Sequence, residues 1–178
     1  MVNNFIKDRT YGEKWEDFIC DLVNEHFKDV TEKYDNCKFR TNHVRKDDDG
    51  IDVYSPGIQT IIDVKAYRPP MVLRHYDGIY LETLHKRSRK DGWYVDDSKK
   101  NNWYAFVQDG TNGMEFYKIY LISKKNLQRA AGEAMLNEEC EIKESDTTLG
   151  RELPYKYLDK HSSKIWYGTR YYEEQAEG

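Results

Sequence analysis

The stretch from Gly50 to Lys65 constrains what this chain can fold into more than any other part of it. Gly50-Ile51-Asp52-Val53 is followed, after Ser55-Pro56-Gly57, by Ile61-Ile62-Asp63-Val64-Lys65, so two short apolar runs carry one acid, then an acid and a lysine. Side chains alternate along a strand, which sets Asp63 and Lys65 on one face and Ile62, Val64 and Ala66 on the other. Pro56-Gly57 suits the centre of a tight turn, Pro fixing φ and Gly accepting the positive φ that follows. With those two residues as the loop, Asp52 lies opposite Ile61 and shares a face with Asp63 and Lys65. A slip of one residue would send it to the far side. Two carboxylates and an ammonium on one side of a hairpin form a seat for Mg²⁺, a hard cation that prefers oxygen ligands and keeps several waters.

Upstream, Trp15, Phe18, Ile19, Leu22, Val23 and Phe27 follow the spacing of a single apolar face, which predicts an amphipathic helix over about residues 11–27, packed on a sheet. Thr10 with Glu13 reads as a capping box and gives Glu13 a structural job. Glu16 falls at the margin of the apolar stripe, where a side chain looks along the sheet, and is the candidate helix acid. Residues 37–44 read as a strand before the hairpin, giving the order helix, strand, strand, strand. Residues 79–84 look extended, 87–101 form a polar loop, and 102–108 read as a strand that a turn at 109–113 joins to a partner over 115–122. Ser123 caps a helix running through Leu136, and from Glu138 onward the pattern weakens. There is no internal repeat and no domain boundary. The expectation is one α/β domain over residues 1–178, with a core of about 10–136 and a C-terminal extension over 137–178.

Composition bounds the function classes. A chain of 178 residues, 38% hydrophobic and 14% aromatic, can bury one real core. No stretch approaches a membrane span and Met1-Val2-Asn3-Asn4 opens no signal peptide, so a cytoplasmic protein with no membrane partner is expected. Cys20, Cys37 and Cys140 show no paired spacing, which argues against a disulfide framework and a zinc ribbon. A net charge of −4 means that duplex DNA would have to be held by local basic groups. Lys86, Arg87, Arg89 and Lys90 precede Trp93-Tyr94, and Lys99-Lys100 precede Trp103-Tyr104; these runs can pair with phosphate and stack on bases, or serve as solvated loops. Asp47-Asp48-Asp49 crowd beside the hairpin. They do not open a calcium loop, because aligning Gly50 with the invariant glycine puts Arg45 first and Pro56 last. Neither a phosphate-cradling loop of the Gly-x-x-x-x-Gly-Lys type nor a Gly-x-Ser-x-Gly elbow is present.

Through Asp52, Asp63-Val64-Lys65 and the acidic helix, the chain resembles the PD-(D/E)XK nuclease superfamily, the restriction-endonuclease-like phosphodiesterases, over roughly residues 10–107. The proline of that motif is absent, since Ile51 precedes Asp52. The resemblance implies a restriction-endonuclease-like core, an N-terminal helix packed on a central mixed β-sheet. It also implies an acid on that helix, often four residues after a glycine, as Glu16 follows Gly12. The implied activity is hydrolysis of phosphodiester bonds in DNA with Mg²⁺, for which Mn²⁺ substitutes. Asp52 and Asp63, with Glu16 and the Val64 carbonyl, would hold one or two ions, and Lys65 would orient the attacking water. RNA and a second copy of the chain stay open as further partners. The rival from another class is a non-cleaving nucleic-acid-binding or assembly protein, against which the complete Asp52, Asp63, Lys65 set argues.

Overall fold

The computed structural model describes residues 4–43, 50–67, 77–109 and 116–169. Helix α1 (Asn4–His26) is followed by a short α2 (Lys28–Thr31) and a 3-10 turn at Asp35–Cys37. Then come β1 (Arg40–Thr41), β2 (Val53–Ser55), β3 (Thr60–Tyr67), β4 (Gly78–His85), β5 (Lys90–Asp91), β6 (Trp103–Asp109) and β7 (Phe116–Ser123). Helix α3 (Lys124–Leu136), β8 (Ile142–Glu144), β9 (Thr148–Pro154), α4 (Tyr155–His161) and β10 (Lys164–Thr169) complete the described chain. The strands form a six-stranded sheet in the order β1-β2-β3-β6-β7-β10 and a four-stranded sheet in the order β5-β4-β9-β8. The first is mixed, because β3 and β6 run parallel while its other pairs are antiparallel. The second is antiparallel throughout. No helix among the described residues is long and apolar enough to cross a membrane.

Two apolar layers sandwich the larger sheet. On one face Trp15, Ile19 and Val23 of α1 pack against Val53, Ile62, Ala105, Val107 and Ile119. On the other, Tyr104, Phe106, Tyr120 and Ile122 meet α3, α4 and Ile79, Leu81 and Leu153 of the second sheet. Alternation along β3 therefore sends Ile62 and Val64 to the α1 side and Asp63 and Lys65 to the opposite side. Ser123 caps α3 as its sequence indicates, its hydroxyl accepting from the Asn126 amide at 3.2 Å.

Three local expectations are corrected. Helix α1 runs from Asn4 to His26, so Thr10 lies inside it and is not its N-cap. Neither Pro nor Gly interrupts residues 4–10, and extending an existing helix costs far less than starting one. Among the described residues, the strand expected over 37–44 covers Arg40–Thr41, with Cys37 closing the 3-10 turn and Val44 outside the described residues. Here the Asn24 side chain from α1 takes both backbone groups of Phe39, accepting from its N–H at 2.9 Å and donating to its carbonyl at 3.1 Å. The hairpin loop is also longer than Pro56-Gly57. Val53 pairs with Ile62 and Tyr54 with Ile61, leaving Pro56 to Gln59 as the connection. This is a shift of two residues from the expected register, and an even shift leaves the paired side chains of Val53 to Ser55 on their original faces. The positive φ falls on Gln59, at 54°, and not on Gly57.

Beyond Glu138, β10 pairs with β7 in the larger sheet and β9 with β4 in the smaller one. The sequence there is short strands broken by turns, too brief for either periodicity to register.

Gly57 is required by close approach. A Cβ there would sit 2.7 Å from Cys37 Sγ and 2.8 Å from the Asn36 carbonyl oxygen, to which the Gly57 amide donates at 2.7 Å. Gly57→Ala is expected to cost about 1–3 kcal/mol by overpacking. Gln59→Gly should hold stability or raise it by up to about 1 kcal/mol, because a left-handed residue loses its Cβ clash. Chemical denaturation of both variants checks the pair of signs.

Candidate functional site

The site is set by the parallel pairing of β3 with β6, in which Asp63 stands beside Tyr104 and Lys65 beside Phe106. Asn102 zips the two strands together at their start. Its side-chain oxygen accepts from the Ile61 amide at 2.8 Å and its amide donates to the Gln59 carbonyl at 2.8 Å. The preceding residue, Asn101, is thereby delivered to the Asp63 side of the sheet, where its Nδ2 donates to the Trp103 carbonyl at 3.1 Å.

Asp63 is 1% exposed. Its Oδ1 lies 2.7 Å from Lys65 Nζ, an ion pair between alternate residues of one strand. The ammonium also sits 5.5 Å from the Trp93 ring centre, and Trp93 in turn packs on Tyr104 and Phe106 at 5.2 and 5.9 Å. Lys65 is thus held between a carboxylate and an aromatic face, an arrangement that narrows where its charge can go. Burial raises the pKa of the Tyr104 phenol; the Asn101 amide lowers it and the Asp63 charge raises it further, with Lys65 opposing. Tyr104 therefore stays a neutral donor, and its proton goes to the Trp93 carbonyl at 3.5 Å.

The other oxygen of Asp63 differs. Among the described residues, Asp63 Oδ2 and Asn101 Oδ1 are both buried without a hydrogen-bond partner. They flank one small space beside Gly50, where a Cβ would lie 3.4 Å from the first and 3.2 Å from the second. A buried carboxylate oxygen without a donor costs free energy, and a hard cation is one group that removes the cost.

Asp52, 6% exposed, lies just beyond the paired part of β2. Its Oδ2 accepts from the Val64 amide at 2.7 Å while its own amide donates to the Ile62 carbonyl at 3.1 Å. One carboxylate oxygen of Asp52 is therefore used in holding β3 in place. Glu16 is 3% exposed and approaches from α1, the Ile62 and Val64 side of the sheet, with Oε2 3.4 Å from His43 Nδ1. His43 Nε2 lies 2.8 Å from Asp17 Oδ1. Among the described residues, no three His, Cys, Asp or Glu side chains form a group that could hold a metal ion, so Glu16, Asp52 and Asp63 do not converge as a set. Asp47, Asp48 and Asp49 lie outside the described residues.

The basic runs separate into different environments. Lys86 is tied down, its Nζ 2.5 Å from both Glu144 Oε1 and the Ser145 carbonyl. Arg87, Arg89 and Lys90 are exposed at the β4–β5 turn, and Lys100 is exposed before β6. Lys99 belongs to the site, since its Cδ lies 3.4 Å from the same point beside Gly50. Trp93 and Tyr94 are partly buried against the core.

Sequence reasoning missed Asn101 and gave Gly50 and Trp93 no part in the surroundings of Asp63. Only a parallel β3–β6 pair brings Asn101 to Asp63, and a strand's partner is not written in its own periodicity. Comparison with family models, with curated proteins and with solved structures found no match to this chain.

The two roles open to Asp52 predict different variants. Asp52→Asn keeps an acceptor for the Val64 amide and should unfold close to the parent protein. Asp52→Ala leaves that amide unsatisfied and should cost about 1–3 kcal/mol. Thermal unfolding in a chelating buffer reads both, and equal loss in the two would show that the charge, not the hydrogen bond, holds β3.

Proposed function

We propose that this chain is a Mg²⁺- or Mn²⁺-dependent nuclease that hydrolyses phosphodiester bonds in DNA, built on a restriction-endonuclease-like core. The observation that carries the reading is Asp63 itself: a carboxylate 1% exposed, with one oxygen on Lys65 and the other facing a space without a donor among the described residues. The order of α1, β1, β2 and β3, continued by a parallel β6, supports the proposed core. Both orphan oxygens are hard donors of the kind Mg²⁺ and Mn²⁺ accept, so the residues fit such an ion. A bound divalent ion there supplies charge stabilisation on a phosphate and acidifies a water.

The remaining chemistry belongs to the chain. Asp63 Oδ1 and the Trp93 face hold Lys65 Nζ in place, and the lysine side chain is 22% exposed, so its ammonium is buried enough to be fixed and open enough to meet a substrate. A fixed ammonium orients an attacking water and stabilises negative charge developing on phosphate. Asp52 keeps β3 in register beside it through the Val64 amide. Lys99 and Lys100 lie next along the chain to Asn101 and supply local positive charge on a chain whose net charge is −4.

The test is incubation of the protein with single-stranded, duplex and branched DNA and with RNA, each with Mg²⁺, with Mn²⁺ and with chelator. Metal-dependent DNA cleavage is expected. Cleavage of RNA alone would change the substrate class, and binding without cleavage under any condition would identify a non-cleaving nucleic-acid-binding protein.

Two variants sharpen it. Asp63→Asn should lose cleavage by on the order of 10²-fold or more while thermal unfolding in chelator shows it still folded, because the amide oxygen keeps an acceptor for the Lys65 ammonium. Lys65→Ala should lose turnover by on the order of 10²-fold or more while retaining Mn²⁺ affinity by calorimetric titration, since an ammonium is no ligand. Metal affinity falling together with activity in Lys65→Ala would make the lysine a support for the site and not a participant in the chemical step.

A further inference from the structure

Three stretches of chain meet at one point: Gly50 before β2, Asp63 on β3 and Asn101 before β6. Asn101 is 3% exposed, and its two side-chain atoms have different fates. Nδ2 is engaged by the Trp103 carbonyl, which fixes the orientation of the amide and turns Oδ1 toward the space beside Gly50. There Oδ1 has no donor among the described residues; the neighbouring Tyr104 hydroxyl spends its single proton on the Trp93 carbonyl. Asp63 Oδ2 faces the same space in the same condition. Two buried acceptors facing the same point go unsolvated there, an arrangement that calls for a donor or a cation between them.

The space exists because residue 50 has no side chain. Gly50 is buried and holds φ at +69°, a conformation L residues seldom take, so both its backbone shape and the missing Cβ are used. The stem of Lys99 walls another side, with Cδ 3.4 Å from where a Cβ would lie.

We propose that Asn101 is a cation ligand, its Oδ1 joining Asp63 Oδ2 to hold a divalent ion in the cradle left open by Gly50. This rests on the reading of Asp63 as a metal-holding carboxylate and adds a neutral oxygen that the Asp52, Asp63, Lys65 pattern does not contain. A neutral second donor sets the charge of the seat: one carboxylate and one amide bind a divalent ion more weakly than two carboxylates would, and leave it more positive toward an incoming phosphate.

Calorimetric titration of the full chain with Mn²⁺ tests this without reference to cleavage, using the parent protein, Asn101→Asp, Asn101→Leu and Asp63→Asn. Thermal unfolding in chelator and in Mn²⁺ runs beside it to establish that each variant is folded. Asn101→Leu should weaken Mn²⁺ binding by about 10-fold or more, as expected when a metal-site partner is removed. Asn101→Asp should tighten it by about 10-fold and should unfold at a lower temperature than the parent in chelator, a loss that Mn²⁺ restores. If Asn101→Leu does not fold, Asn101→Asp decides alone. Parent-like Mn²⁺ affinity in folded Asn101 variants, with affinity lost in Asp63→Asn, would overturn the role of Asn101 and leave the nuclease reading standing. Absence of Mn²⁺ binding by the parent protein would overturn both.

Discussion

Everything at the site depends on the burial of Asp63 on a strand whose opposite face is also buried. β3 lies inside the six-stranded sheet, with α1 packed on Ile62 and Val64 and an aromatic layer of Trp93, Tyr104 and Phe106 beside Asp63 and Lys65. A carboxylate in such a place must be paired, because an isolated ion loses several kcal/mol or more on leaving water. Lys65 supplies the pair from two residues along the same strand, and the Trp93 face keeps the ammonium from leaving. The pairing satisfies one oxygen only.

That half-satisfied state links the stability of the fold to the proposed function. A core position evolved for packing would carry an apolar residue there, as Ile62 and Val64 do on the other face. Holding a charge instead, with a second acceptor from Asn101 turned toward it, costs the fold free energy and is the pattern expected where a site is kept poised for a ligand. Asp52 illustrates the other outcome. Its carboxylate accepts a backbone amide, so the same residue type that keeps one oxygen without a donor among the described residues at position 63 is structural, through one oxygen, at position 52.

Much of this was legible in the sequence, and the reasons are local. The two faces of β3 follow from alternation alone, and they survived a hairpin loop two residues longer than expected because an even shift preserves them. The Ser123 cap was readable for the same reason: the cap, its acceptor and its donor lie within four residues. What could not be read depends on partners far along the chain. The Asn24 side chain truncates the strand around Phe39, and the parallel β6 carries Asn101 to Asp63 across nearly forty intervening residues. The N-cap expected at Thr10 failed differently. Its local signal was present, but the helix had already begun upstream at Asn4.

The most direct measurement is anomalous diffraction from crystals of the protein grown or soaked with Mn²⁺. A single strong anomalous peak within ligand distance of Asp63 Oδ2, bounded by Asn101 Oδ1 and the Gly50 backbone, is the predicted result. Density at Asp63 that carries no anomalous signal, with Mn²⁺ found only at exposed surface carboxylates, would contradict the account.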